Sequence, residues 1–130
     1  MIGNLIKALV VSASLSLLFA SVAYAQRITV NDGVFTAAQA AAGESVYDES
    51  CRTCHDMGFY AGIWEFWQGK PLLDFWFVIV AEMPTDNPGV LSDAEYTDIV
   101  AYILSQRGYP AGDTLLDRQN GLDNIDIVAP

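Results

Sequence analysis

The residues best suited to chemistry are two cysteines and the chain's only histidine, which stand within five positions of one another. The stretch CRTCH places them at Cys51, Cys54 and His55. Thiols at this spacing can form thioether bonds to the two vinyl groups of one haem, while the adjacent histidine ligates the iron. The same residues could instead form a dithiol redox couple or half of a zinc site.

The remainder of the chain disfavours both alternatives. A structural zinc site needs four ligands, and the sequence has no cysteine or histidine beyond Cys51, Cys54 and His55. A thioredoxin-like dithiol is expected after a strand in an α/β fold, and no such pattern precedes Cys51. The motif therefore predicts one haem c, attached covalently through Cys51 and Cys54, with His55 as an axial ligand.

Ligation by two histidines of one chain is excluded because the chain has one histidine, and methionine is the next candidate for the second axial ligand. Met57 lies two residues after His55, so it is expected to be a packing residue on the same side of the haem. Met83 precedes Pro84, which disfavours helical backbone at Met83 and favours an extended conformation. We therefore expect Met83 to be the second iron ligand, with a core-filling role as the alternative.

The first 25 residues have the pattern of a secretory signal peptide. Lys7 precedes an apolar stretch over residues 8–20. The small residues Ala23 and Ala25 flank Tyr24, and cleavage is expected after Ala25. Serines interrupt the apolar run, which is shorter than the ~20 residues of a spanning helix. The sequence predicts export, with membrane contact only if this leader is retained.

The chain is strongly acidic, with six Lys and Arg against 16 Asp and Glu and a formal net charge of −10. Loss of the leader, which contains Lys7, would make it more acidic still. A nucleic-acid partner is excluded because a binder must neutralise phosphates with its own cations. The charge favours a partner with a basic patch, although acidity that merely maintains solubility is an alternative.

A helix is predicted to begin at Thr36, which can act as its N-cap, and Gln39 can complete a capping box. Gly43, Tyr47 and Cys51 recur every four residues, so they share one helical face that leads to the CRTCH motif. A glycine within a helix costs about 1 kcal/mol relative to alanine. Gly43 therefore indicates that another backbone lies against it, with a tolerated surface glycine as the alternative.

A second helix is predicted after Ser92, which can form a capping box with Glu95, and it should end at Gly108. Its apolar residues share one core-facing side, namely Tyr96, Ile99, Val100, Ile103 and Leu104. A third helix is predicted from Lys70 and Pro71, because proline suits the first helical turn. Its apolar sequence would also suit a buried strand, but the proline favours a helix.

Aromatic residues are concentrated between positions 62 and 77. Most of them are expected to form an apolar wall for the haem, with Trp64 and Trp67 as the exposed pair. Residues 113–130 contain scattered Asp, Asn and Gly, and we expect this C-terminal tail to be extended over the surface or partly loose. Leu115 and Leu116 are expected to pin its first part.

The sequence resembles class I c-type cytochromes with a single haem, in particular small periplasmic cytochromes and cytochrome domains associated with quinoprotein dehydrogenases. The resemblance extends from about residue 35 to 112. It is carried by Gly43, Tyr47, Cys51, Cys54 and His55, then Met83 and Pro84, then LSDAEYTDIVAYILSQRGYPAG.

The resemblance implies an all-α cytochrome c fold over residues 26–112, with three to four helices around one covalently attached haem. It implies that the first and last helices cross, with Tyr102 facing Gly43. Many such proteins use a proline carbonyl to orient the histidine, but no proline lies between Asp56 and Gly69. Another loop carbonyl, near Gly62, is expected to replace it.

The implied function is electron transfer in the periplasm through a His/Met-ligated haem iron, without enzymatic activity. The implied partners are a redox donor and acceptor with a basic docking patch, and a quinoprotein dehydrogenase is a candidate. One alternative is an obligate cytochrome subunit of a larger dehydrogenase complex. Another, less favoured, is a haem-based gas sensor or peroxidase, which would need an open coordination position.

Overall fold

The computed structural model describes residues 27–130 of the chain. The predicted signal peptide and its cleavage after Ala25 lie outside the described residues. Within them are four α-helices: α1 (Ala37–Ser50), α2 (Met57–Trp67), α3 (Leu72–Glu82) and α4 (Asp93–Gln106). Two short strands, β1 (Ile28–Thr29) and β2 (Ile125–Asp126), pair in parallel. The all-α prediction is thus confirmed, apart from this two-stranded sheet.

Helix α1 begins as predicted at Thr36, whose side chain accepts a hydrogen bond from the Gln39 amide at 3.1 Å. The capping box does not form. The Gln39 side chain instead donates to the carbonyl of Leu116 at 2.7 Å and accepts from the Leu116 amide at 2.9 Å. Two buried hydrogen bonds to the tail replace the local interaction with the Thr36 backbone.

Helices α1 and α4 pack closely against each other at Gly43. A Cβ atom at Gly43 would overlap the carbonyl group of Asp98 and lie 3.0 Å from the amide nitrogen of Ile99. This confirms that another backbone approaches Gly43. The predicted partner was wrong, because Tyr102 lies one turn further along α4 and its ring packs against Tyr47, with centroids 5.3 Å apart.

Helix α4 follows the sequence pattern closely. Ser92 and Glu95 form the predicted capping box, with the Ser92 amide donating to the Glu95 carboxylate at 2.8 Å. Gly108, with φ of +91°, follows the end of the helix. The five predicted apolar residues of this helix are all buried.

Helix α2 was not anticipated from the sequence. Asp56 caps it by accepting a hydrogen bond from the Phe59 amide at 3.0 Å. Helix α3 follows Pro71, so the segment that could also have been a strand is helical. The two helices pack through aromatic rings, with Phe75 of α3 edge-on to Tyr60 and Trp64 of α2 at centroid separations of 6.5 and 5.4 Å.

The C-terminal tail contributes several side chains to the core, which the sequence did not predict. Leu116 is buried, as predicted, but Leu115 is 60% exposed. Further along, Leu122, Ile125 and Ile127 are part of the core. Strand β2 pairs with β1, and the Ile127 amide donates to the carbonyl of Lys70 at 2.9 Å. Alternating apolar residues allow this segment to cover the side of the core near the start of α3.

Between residues 27 and 130, no helix combines the length and the apolar character that a membrane crossing needs.

Candidate haem-binding site

The CRTCH motif forms a compact turn at the end of α1. Cys51 is the C-cap residue, and its amide donates to the Tyr47 carbonyl at 2.8 Å. The amides of Cys54 and His55 both donate to the Cys51 carbonyl, at 3.1 and 2.9 Å. These bonds hold the two thiols and the histidine in one continuous turn.

Both thiols are free, with Cys51 half-buried and Cys54 exposed. Burial raises the pKa of the Cys51 thiol above its ordinary value. The thiol therefore stays protonated at neutral pH, as expected for a side chain held in partly apolar surroundings.

Two adjoining cavities contain the predicted site residues. The first, the motif cavity, has a volume of about 470 Å³, and its lining includes Cys51, Cys54 and His55 of the motif together with Met83, Pro84 and Asp86 from the segment after α3. The second, the aromatic cavity, has a volume of about 130 Å³. His55 and Met83 line both cavities, so all four predicted site residues meet at one cleft.

The aromatic cavity has an almost entirely apolar lining, made chiefly by Phe59, Tyr60, Ile63, Trp67, Phe75 and Ile79. Burial raises the pKa of Tyr60 well above its ordinary value, so its hydroxyl stays neutral. An apolar wall beside two thiols, an imidazole and a thioether provides the donor set and the surroundings that haem requires. The residues present therefore fit this group.

The main chain of His55 is fixed by a tyrosine. The Tyr47 hydroxyl donates to the His55 carbonyl at 2.7 Å, and the Phe59 ring packs on the imidazole with centroids 4.6 Å apart. The sequence predicted that a loop carbonyl near Gly62 would orient the His55 ring. This was wrong because Gly62 lies within helix α2 and not in a loop.

Met83 lies at the end of α3 in extended conformation, with φ of −126° and ψ of 150°, as Pro84 predicted. Its carbonyl accepts a hydrogen bond from the Tyr96 hydroxyl at 2.7 Å. Met57, in contrast, is partly buried against the core, in line with its expected packing role, and lines neither cavity.

The predicted exposed aromatic pair was wrong. Trp64 and Trp67 are only 1% and 8% exposed, whereas Phe66 and Phe77 are 67% and 61% exposed. The reason is helical spacing: Tyr60, Trp64 and Trp67 share the inner face of α2, so Phe66 points away. Phe75 is buried and lines the aromatic cavity, as expected for an apolar wall, whereas Trp76 is buried but lines neither cavity.

Sequence reasoning missed the contributions of helix α2 and of Tyr96 to this site. The sequence did contain a signal for α2, because Asp56 is a preferred N-cap residue and its side chain accepts from the Phe59 amide. The bond from Tyr96 to Met83 had no sequence signal, because it depends on how α3 and α4 meet.

The comparison with protein families decides between the possible uses of this cleft. Residues 38–103 match the model of the family described as cytochrome C oxidase, cbb3-type, subunit III, which is a class I c-type cytochrome domain. The chain belongs to this family. It is therefore an electron-transfer haem protein, and its helical arrangement is the all-α cytochrome c fold. No curated protein and no solved structure matches the chain.

The electrostatic surroundings of the cytochrome cleft are acidic. Glu49 and Asp86 line the motif cavity, and Glu82 lines the aromatic cavity. Among the described residues that line these two cavities, none is Lys or Arg. The nearest cation in sequence, Arg52, is paired with Asp48 on α1. The mouth of the cytochrome site therefore has a negative electrostatic potential.

Proposed function

We propose that this protein is a periplasmic single-haem cytochrome that carries single electrons between redox proteins. Cys51 and Cys54 attach the haem covalently, and His55 and Met83 are its axial ligands. The observation that carries the proposal is that these four side chains, from two separate parts of the chain, line one cleft. Bound haem would supply a one-electron ferric/ferrous couple.

The protein's own residues would control that couple in two opposing ways. A thioether ligand from Met83 raises the reduction potential of a haem. The apolar lining around Tyr60, Trp67 and Phe75 acts in the same direction, because it disfavours the additional positive charge of the ferric state. Glu49 and Asp86 oppose this, since nearby carboxylates stabilise the positive charge.

A carrier suits the site better than a sensor or a peroxidase. Because His55 and Met83 both line the cleft, each could supply one axial ligand, and no coordination position would then be open for a substrate or a gas. The chain would therefore exchange electrons without enzymatic turnover.

The acidic mouth of the cleft favours partners that present Lys and Arg. Charge complementarity of this kind accelerates encounter and weakens as salt rises. A quinoprotein dehydrogenase with a basic docking patch is one candidate donor. Export to the periplasm rests on the leader sequence, and purified mature protein is expected to begin at Gln26 by mass spectrometry.

A second candidate function is that of an obligate cytochrome subunit in a larger dehydrogenase complex. Phe66 and Phe77, which are 67% and 61% exposed, are the apolar side chains that such a complex could cover. The description of the matching family as an oxidase subunit also favours membership of a complex.

The test is to express the full chain with a working cytochrome c maturation system and to record spectra of the purified protein in both redox states. A carrier should take up one electron per chain, and the ferrous form should bind carbon monoxide only slowly at neutral pH. Rapid carbon monoxide binding by the native protein would favour the sensor or peroxidase. Size-exclusion chromatography of native periplasm would separate a free carrier from a subunit.

A further inference from the structure

Two buried tyrosines each donate a hydrogen bond to the main-chain carbonyl of one proposed iron ligand. Tyr47 donates to His55 and Tyr96 donates to Met83, both at 2.7 Å. The tyrosines are 0% and 1% exposed, so water cannot readily replace either hydroxyl. The only other described donor to the Met83 carbonyl is the Gly89 amide, at the longer distance of 3.4 Å.

The two tyrosines belong to the two helices that pack together at Gly43. Tyr47 follows Gly43 by one turn of α1, and Tyr96 precedes Asp98 by two residues on α4. The contact between Gly43 and Asp98 leaves no room for a Cβ atom, so it sets the separation of these helices. The two tyrosines that bind the His55 and Met83 carbonyls therefore project from one closely packed helix pair.

Tyr47 is itself held firmly in place. Its ring packs against Tyr102 and Tyr60, with centroid separations of 5.3 and 6.2 Å. Its carbonyl accepts hydrogen bonds from the amides of Cys51 and Arg52, at 2.8 and 3.0 Å. One residue thus contacts the beginning of the motif through its carbonyl and the end of the motif through its hydroxyl.

We propose that Tyr47 and Tyr96 are positioning residues that hold the main chain of His55 and Met83, and so fix where the two ligands meet the haem iron. The inference rests on the proposed function of the cleft. A side chain's reach is set by the main chain from which it projects, so a fixed carbonyl limits how far each ligand can turn away. Loss of one such hydrogen bond shifts a two-state equilibrium by about fivefold.

The first test is Tyr96→Phe in the haem-loaded protein, which keeps the buried ring and removes the hydroxyl. Carbon monoxide can bind ferrous iron only when Met83 has moved away. We expect carbon monoxide binding, measured by stopped-flow mixing, to be about fivefold faster than in the unmutated protein. The sulfur-to-iron charge-transfer band should also disappear at a lower temperature.

The second test is Tyr47→Phe. The unpaired electron of the ferric protein shifts the proton NMR signals of the iron ligands, and these shifts depend on the orientation of the imidazole. We expect altered shifts for the His55 ring protons and a changed reduction potential, whereas the carbon monoxide binding rate should change less than in Tyr96→Phe.

Tyr109→Phe is the matched control. Tyr109 is also buried, and its hydroxyl donates to the carbonyl of Val128 and accepts from the Trp64 indole at 2.7 Å. Tyr109, Trp64 and Val128 line neither cavity of the site. This variant should lower the unfolding midpoint while leaving the carbon monoxide rate and the His55 shifts unchanged.

If Tyr47→Phe and Tyr96→Phe lower only the unfolding midpoint, as the control does, the two tyrosines are merely structural and the proposal is overturned. Failure of the proposed function would look different. It would appear in the unmutated protein, which would lack the sulfur-to-iron band or bind carbon monoxide at once.

Discussion

Gly43 lies directly against the main-chain carbonyl of Asp98, and this contact fixes the packing of α1 on α4. The next turn of each helix adds a second contact, between the rings of Tyr47 and Tyr102. Each helix also donates one tyrosine hydrogen bond to the cleft, from Tyr47 to the His55 carbonyl and from Tyr96 to the Met83 carbonyl. Its packing therefore governs both stability and the geometry of the cleft.

Gly43→Ala should destabilise the protein strongly. Alanine has the better helix propensity, by about 1 kcal/mol, but its Cβ atom would overlap the Asp98 carbonyl and force the helices apart. Overpacking of this kind typically costs about 1–3 kcal/mol. Because the Cβ atom would overlap the Asp98 oxygen itself, the cost should exceed the gain in helix propensity, and the free energy of unfolding, measured with urea, should fall by about 2 kcal/mol or more.

Gly62→Ala is the matched control for this prediction. Gly62 is also a helical glycine, and a Cβ atom there would have no heavy atom within 4 Å. The substitution should raise the free energy of unfolding by about 0.5–1 kcal/mol. If Gly43→Ala and Gly62→Ala changed the free energy of unfolding equally, the contact between Gly43 and Asp98 would not limit how closely α1 and α4 pack.

Gln39→Ala should detach the first part of the C-terminal tail. The side chain makes two buried hydrogen bonds to the backbone of Leu116, at 2.7 and 2.9 Å. Their loss leaves a buried donor and a buried acceptor without partners, at a cost of about 1–3 kcal/mol. Hydrogen exchange at the Leu116 amide should accelerate, whereas Gln106→Ala, on the exposed side of α4, should leave it unchanged.

Met83→Ala should abolish the sulfur-to-iron charge-transfer band of the oxidised protein and lower its reduction potential. The reason is that the thioether is the ligand that favours the ferrous state. Met57→Ala removes a methionine that lies outside both cavities, so it should leave the band in place. Persistence of the band in Met83→Ala would refute the assignment of this ligand.

Neutralising the acidic mouth should change which small oxidants react fastest. In the double variant Glu49→Gln/Asp86→Asn, oxidation by the cation tris(1,10-phenanthroline)cobalt(III) should slow relative to oxidation by the anion ferricyanide. Added salt should reduce the difference between the two oxidants in the unmutated protein. This can be measured by stopped-flow absorbance.

A variant of equal charge separates a local effect from a global one. Glu44→Gln/Asp113→Asn removes two exposed carboxylates that line neither cavity. If both double variants alter the oxidant preference equally, only net charge matters and the acidic mouth has no special role.

Local signals in the sequence predicted local structure well. The capping box of Ser92 and Glu95 involves neighbouring residues, and the extended conformation of Met83 follows from the proline beside it. The four proposed site residues could be named from the sequence because the CRTCH spacing and the position of Met83 before Pro84 are local signals, and all four line one cleft.

Features that depend on distant contacts were missed. Gln39 satisfies the criterion for a capping box, but its partner Leu116 lies 77 residues away. The exposure of Phe66 rather than Trp64 depends on helix α2, which was not anticipated. Likewise, Ile127 is held in the core by backbone hydrogen bonds to Gly69 and Lys70. No pattern within the tail indicates this contact.

The most direct test of the account is whether the haem remains bound to the denatured polypeptide. The full chain, expressed with a cytochrome c maturation system, should retain its pyridine haemochrome spectrum after denaturing electrophoresis and acidic solvent extraction. Cys51→Ala/Cys54→Ala should lose it. A colourless purified protein, or full retention of haem by the double variant, would contradict covalent attachment at the two cysteines.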